Sequence, residues 1–148
     1  MARNTVLYTP CLPKAPISGA TWWKNNNPII QLSGRYKTND SFWFAFYHEA
    51  AHILKHGKKE IFLEDLQGNS VDKEKEREAD EFAQKKLFPE NALNKLKNTQ
   101  LLTNEVILAF AARYSTHPAV VVGQLQHWGI VNHNSFNHFK LSVTIDDK

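Results

Sequence analysis

The chain has a single cysteine, Cys11, in 148 residues. That excludes an internal disulfide framework and fits a reducing cytosol. Cys11 reads as a packing residue or loop thiol rather than a nucleophile, because no helix or adjoining basic residue is there to favour its thiolate. No run of 18 apolar residues is present, which argues against a membrane-spanning helix. The opening Met-Ala-Arg-Asn-Thr lacks the apolar core of a secretory signal. Charge of one sign is also scarce: 18 Lys and Arg face 15 Asp and Glu, a net +3 with no long basic run. Direct nucleic-acid binding therefore gains little support. Internal repeats and low-complexity segments are absent too. What is present suits a packed globule: 42% of residues are hydrophobic, and nine Phe and four Trp supply core anchors. The length fits one domain. The expectation is a single domain over 1–148, with its core in 20–130 and a tail over 131–148.

Residues 4–8 (Asn-Thr-Val-Leu-Tyr) read as a short strand. Pro10, Pro13 and Pro16 then predict an extended loop. Ala20 to Lys24, an Asn25-Asn26-Asn27-Pro28 turn and Ile29 to Leu32 predict a β-hairpin closed by Gly34. With Asn39 or Asp40 as N-cap, a helix is expected from Ser41 to about His56, stopped by Gly57. A mixed loop over 59–72 leads to a second helix from about Asp72 to Leu87, ahead of Pro89. Shorter helices are expected over 90–97, 103–114 and 118–128, the last opened by Pro118 and closed by Gly129. Lys140 to Ile145 alternates weakly, as an edge strand does. The fold class that follows is α+β, a small antiparallel sheet or hairpin leading into a helical body.

The first long helix carries His48-Glu49-Ala50-Ala51-His52. Histidines four apart on a helix share one face, so both imidazoles reach one metal ion. Zinc suits imidazole nitrogen, and with three protein ligands it keeps an open position. Glu49 points to the side of that face, where it can take a proton from a water on the metal. Phe42, Phe46, Ala50 and Ile53 make the helix strongly apolar, with Trp43, Tyr47 and Leu54 broadening the stripe. Polar groups on such a helix need partners or a metal.

Two histidines do not complete a zinc site. A third histidine by the extended motif is excluded, because Lys55 and Lys58 stand where Gly and His would be needed. On the second helix, residues 76, 79, 80, 83 and 87 form one face reading Glu, Ala, Asp, Ala, Leu. The alanines mark it as the packing face, so Glu76 is the expected third ligand. Asp80, one turn further, is placed to accept the free ring N–H of a ligand histidine. Glu74, Glu78, Glu81 and Lys85 read as a solvated, salt-bridged surface.

The run Trp43 to Leu54, then Glu76-x-x-Ala79-Asp80-x-Phe82-Ala83, then Leu87-Phe88-Pro89, resembles the ImmA/IrrE metallopeptidase domain over roughly residues 20–130. The resemblance implies a gluzincin-like body, one Zn2+ per chain held by two His and one Glu, a bacterial or phage cytoplasmic origin, and a protein substrate of the helix-turn-helix repressor class. The segment from Tyr8 to Tyr36 is most similar to the branch fused to antitoxin-like regulators of the HigA type. No helix-turn-helix module precedes the peptidase region here, so DNA binding is not expected of this chain. The helices over 103–128 look superficially like such a pair, but Val120, Val121 and Val122 are apolar where a recognition helix needs polar reach.

Several residues stay as secondary candidates. His56 reads as a helix-end residue meeting the last carbonyls and the loop. His117, Tyr36 and Arg35 are candidates for oxyanion or substrate contacts. Trp22 and Trp23 either flank the cleft or cover the core, and Ile29 to Leu32 is a candidate edge for an extended peptide. The competing function is a catalytically silent zinc-binding module of an antitoxin or transcription-regulator system. Glu49 discriminates, since a purely structural site needs His48, His52 and Glu76 but no base.

Overall fold

The computed structural model describes residues 4–9, 19–34, 38–58 and 72–144. Cys11, the proline-rich loop, Arg35, Tyr36 and the 59–71 part of the expected loop lie outside them. Two compact units divide the chain. The first takes the described residues up to 34, then 44–58 and 72–83; the second takes 38–43 and 84–144.

In the first unit, β1 (Thr5–Thr9), β2 (Gly19–Lys24) and β3 (Asn27–Ser33) form a sheet in the order β1-β3-β2. Asn25 and Asn26 join β2 to β3 with φ of 51° and 64°. Positive φ at both central residues is what a two-residue hairpin turn demands, and Asn tolerates it. The register pairs Thr21 with Ile30 and Trp23 with Pro28. Counting back from the turn, Trp23 and Pro28 form a pair that exchanges no backbone hydrogen bonds, so the missing N–H of Pro28 costs nothing there. Ile30 (4% exposed) and Leu32 (1%) point into the core.

The sheet departs from the expected antiparallel one. β1 runs parallel to β3, from Thr5 opposite Ile29 to Thr9 opposite Ser33. The sheet is therefore mixed. A parallel pair needs a long connection, which the stretch from residue 10 through β2 supplies. A second correction follows: β3 is the central strand, so Ile29 to Leu32 offers no free edge. β2 has its described partner on one side only.

Helix α1 (Asn39–Ala51) starts earlier than expected. Asn39 and Asp40 lie in its first turn rather than before it, and the Thr38 carbonyl accepts from the Phe42 N–H at 2.9 Å. From His52 to His56 the helix continues as a π turn, and Gly57 ends it at φ 66°. Helix α2 (Lys73–Leu87) is capped by Asp72, whose Oδ1 accepts from Glu74 N at 3.1 Å and Lys75 N at 3.4 Å.

The second unit holds α3 (Glu90–Lys97), α4 (Asn104–Arg113) and α5 (Pro118–His127). Thr103 caps α4, its hydroxyl accepting from Val106 N at 3.3 Å. Pro118 opens α5 in the first turn, and Gly129 follows it at φ 66°. Phe88, Leu96, Ile107, Val121, Val122 and Leu125 make its core. Val121 and Val122 are fully buried, so α5 packs into this core, as its apolar composition predicts. Among the described residues no single helix is long and apolar enough to cross a membrane.

The tail is not an edge strand. Asn137–Phe139 form a 3-10 turn, and Thr38 and Ser142 make one isolated bridge. Residues 145 onward lie outside the described set. Side chains hold this tail instead. Gln126 Nε2 donates to the carbonyls of His133 (3.1 Å) and Ser135 (3.0 Å) and to Asn137 Oδ1 (2.9 Å). Lys140 Nζ donates to Gln126 Oε1 at 2.7 Å and pairs with Asp40 at 2.9 Å. The Asp40 side chain is 9% exposed and packs against Gly123, where a Cβ would stand 3.0 Å from its Oδ2. Removing one partner of a buried pair strands the other charge. Lys140→Ala is expected to destabilise the protein by about 3 kcal/mol or more in urea unfolding, and Lys140→Arg by much less.

Candidate metal centre

Four residues apart on one continuous helix, His48 near the end of α1 and His52 at the start of the π turn share one face, their ring centroids 4.9 Å apart. Their side chains are 16% and 15% exposed, so each has given up most of its water. On α2, Ala79 and Ala83 are fully buried, and the small side chains leave room for close packing. That fixes which face of α2 turns inward. Glu76 and Asp80 sit on it, as the sequence predicts.

The three candidate ligands converge. His48 Nε2 lies 3.1 Å from Glu76 Oε2, His52 Nε2 lies 3.4 Å from Glu76 Oε1, and the two Nε2 atoms are 3.2 Å apart. A tetrahedral zinc ion with ordinary bond lengths needs ligand atoms about 3.3 Å apart. The separation of the two Nε2 atoms matches it, and each nitrogen lies at a comparable distance from one of the two Glu76 oxygens. His48, His52 and Glu76 also form the one potential metal-holding group of three or more such side chains among the described residues.

The proton count supports the same conclusion. His48 Nδ1 sits 2.8 Å from Asp80 Oδ1. A carboxylate only accepts, so the imidazole donates there and turns Nε2 inward as a lone pair. That lone pair, the His52 nitrogen and an anionic carboxylate then face one another across little more than 3 Å. Electron-rich atoms so arranged repel unless a proton or a metal cation sits among them. Donor set and geometry therefore fit zinc, for which the imidazole and carboxylate ligands suit a site with an open fourth position.

Glu49 is 7% exposed and stands beside this cluster without belonging to it. Thr21 Oγ1 donates to Glu49 Oε2 at 2.6 Å and lies 3.3 Å from the Glu49 carbonyl oxygen. Burial pushes the Glu49 carboxyl above the usual carboxylate range, opposed chiefly by the Thr21 hydrogen bond. A carboxylate raised in this way is a better proton acceptor near neutral pH.

The remaining candidates separate. Glu74 and Glu81 flank Arg77 on the solvated side of α2, as expected. Glu78 departs from that group: its Oε2 lies 3.9 Å from His56 Nε2. His56 ends the π turn as a buried residue, its ring centroid 5.4 Å from that of His52. His117 serves as N-cap of α5, accepting from Ala119 N at 3.1 Å through Nδ1, which also lies 3.2 Å from Asn39 Nδ2. His127 meets Gln84 Nε2 at 2.9 Å. Arg35 and Tyr36 are outside the described residues. Sequence reasoning missed Thr21 and Gly19. The one signal available was a Gly and a Thr two apart on the face of β2 that carries Trp23, a small polar interruption in an aromatic strand.

The protein is expected to bind about one zinc per chain. Glu76→Ala should remove most of it and Glu78→Ala little, by metal analysis after dialysis. Asp80→Asn should weaken zinc about ten- to a hundredfold in a chelator competition, because His48 loses its orienting acceptor. Equal zinc loss from the Glu76 and Glu78 variants would contradict the face assignment.

Known proteins were compared with the chain. No curated protein is similar enough in sequence to count as a relative. The model of the IrrE N-terminal-like domain, a zinc metallopeptidase family, matches residues 3–125. That span holds all three strands, both helices of the candidate centre and α5 almost to its end. A match over most of the length, laid across a His-His-Glu cluster of zinc dimensions, leads to one conclusion: the chain belongs to the IrrE N-terminal-like peptidase family.

Proposed function

We propose that the protein is a zinc-dependent endopeptidase of the cytoplasm in which Glu49 is the general base. Its substrate in this reading is a protein, a repressor of the helix-turn-helix class, as the resemblance to ImmA/IrrE domains suggests. The observation that carries the proposal is a buried carboxylate, supported by its own hydroxyl donor, adjacent to three converging ligands. A zinc site kept only for folding has no use for it.

Zinc held by His48, His52 and Glu76 would act as a Lewis acid toward the scissile carbonyl and acidify the attacking water. The chain's own residues do the rest. Asp80 keeps His48 in the tautomer that presents Nε2. Glu49 takes the proton of the attacking water and returns it to the leaving amine. Its burial excludes competing solvent. β2 supplies the matching surface for an extended chain. Alternation from the hairpin turn directs the backbone groups of Gly19, Thr21 and Trp23 away from β3. A peptide pairing there by β-augmentation would lie along the strand that touches Glu49.

Glu49→Gln keeps the side-chain shape and removes the proton acceptor. It should retain zinc while cleavage of a helix-turn-helix repressor falls by about a hundredfold or more. Wild type and variant are digested side by side, with zinc measured in both. Equal cleavage would remove Glu49 from the chemistry. Absence of cleavage by the wild type across the repressors tested would favour a zinc-binding regulatory module.

A further inference from the structure

We infer that Thr21 and Gly19 are positioning residues for Glu49, dividing its carboxylate into a held oxygen, Oε2, and a free oxygen, Oε1, that does the proton transfer. The inference rests on the reading of Glu49 as the base.

The held oxygen is defined by one proton. The Thr21 hydroxyl faces two acceptors of the same residue, Oε2 at 2.6 Å and the main-chain carbonyl at 3.3 Å. Its hydrogen goes to the nearer and charged one, the stronger bond. Oε2 is thereby occupied and Oε1 is left as the basic atom.

Gly19 sets where Oε1 lies. A Cβ at position 19 would stand 2.9 Å from both Cγ and Oε1 of Glu49 and 3.2 Å from Cδ. Any other residue there forces the carboxylate to move. The glycine is present for space alone, because the described glycines with positive φ are Gly57 and Gly129. Two residues apart on β2, Gly19 and Thr21 share a face by strand periodicity. Their partners across the ladder are Leu32 and Ile30, both buried. Slipping β2 by one residue would turn Ala20 and Trp22 toward Glu49 instead, and slipping β3 would expose Ile30 and Leu32. Core packing of β3 thus fixes the register that aims the base.

Two measurements test this. The first needs no activity: a double-mutant cycle of Thr21→Val with Glu49→Ala, read from urea unfolding of the metal-free protein. The two changes should be coupled by about tenfold or more in the unfolding constant, as for a hydrogen bond to a charged group. Additive effects would overturn the proposed contact whatever the activity. The second uses a repressor that the wild type cleaves. Thr21→Val should lower kcat about tenfold or more, with KM and zinc content unchanged. Thr21→Ser, which restores the hydroxyl, should recover kcat to within about threefold. Gly19→Ala should follow Thr21→Val. Unchanged kcat in Thr21→Val would overturn the positioning role. Coupling without cleavage by the wild type would defeat the peptidase reading and the positioning role built on it, while leaving the contact itself established.

Discussion

An imidazole has two nitrogens and, when neutral, one proton, and the place of that proton on His48 governs the centre. Asp80 holds it at Nδ1. With Nδ1 engaged, Nε2 has no choice but to present its lone pair toward His52 and Glu76. The orientation of the His48 ring toward His52 and Glu76 follows from this one hydrogen bond. It also explains the composition of α2. Two acids one turn apart must approach α1 closely, and only small neighbours such as Ala79 and Ala83 allow it.

The proposed base obeys a different constraint. Glu49 shares a helix with the two histidines yet points to another element, the β2 strand. The candidate ligands and the proposed base are therefore supported by different elements: Asp80 of α2 holds the His48 imidazole, and a hydroxyl of the sheet holds the Glu49 carboxylate. A change to one support leaves the other in place. Such separation allows metal affinity and proton transfer to vary independently, which a site built on a single element would not permit.

Much of this was legible in the sequence because it is periodic or local. The i, i+4 spacing placed His48 with His52 and Glu76 with Asp80, and the Asn-rich turn announced the hairpin. What escaped is long-range or lacks a pattern. The direction of β1 is set by its neighbour, and nothing in Thr5–Thr9 itself encodes parallel pairing. Thr21 and Glu49 are 28 residues apart, and a threonine in a strand is ordinary. Helical face assignment put Glu78 on the solvated side, but the π turn carries His56 to a position where the two approach. The tail alternates like a strand, yet the hydrogen-bond donors of Gln126 and Lys140 hold it in another shape.

That π turn has a consequence for how the chain tolerates change of length. A π turn is a helical stretch holding one residue more than α-helical hydrogen bonding would admit, so it is where a helix stores an insertion without breaking. Here the π stretch runs from His52 to His56, so it begins at the second histidine and lies outside the interval between the two. A change of length beyond His56 leaves the four-residue spacing of His48 and His52 untouched. One residue added between His48 and His52 would instead swing one ring about 100° around the axis, out of reach of the other.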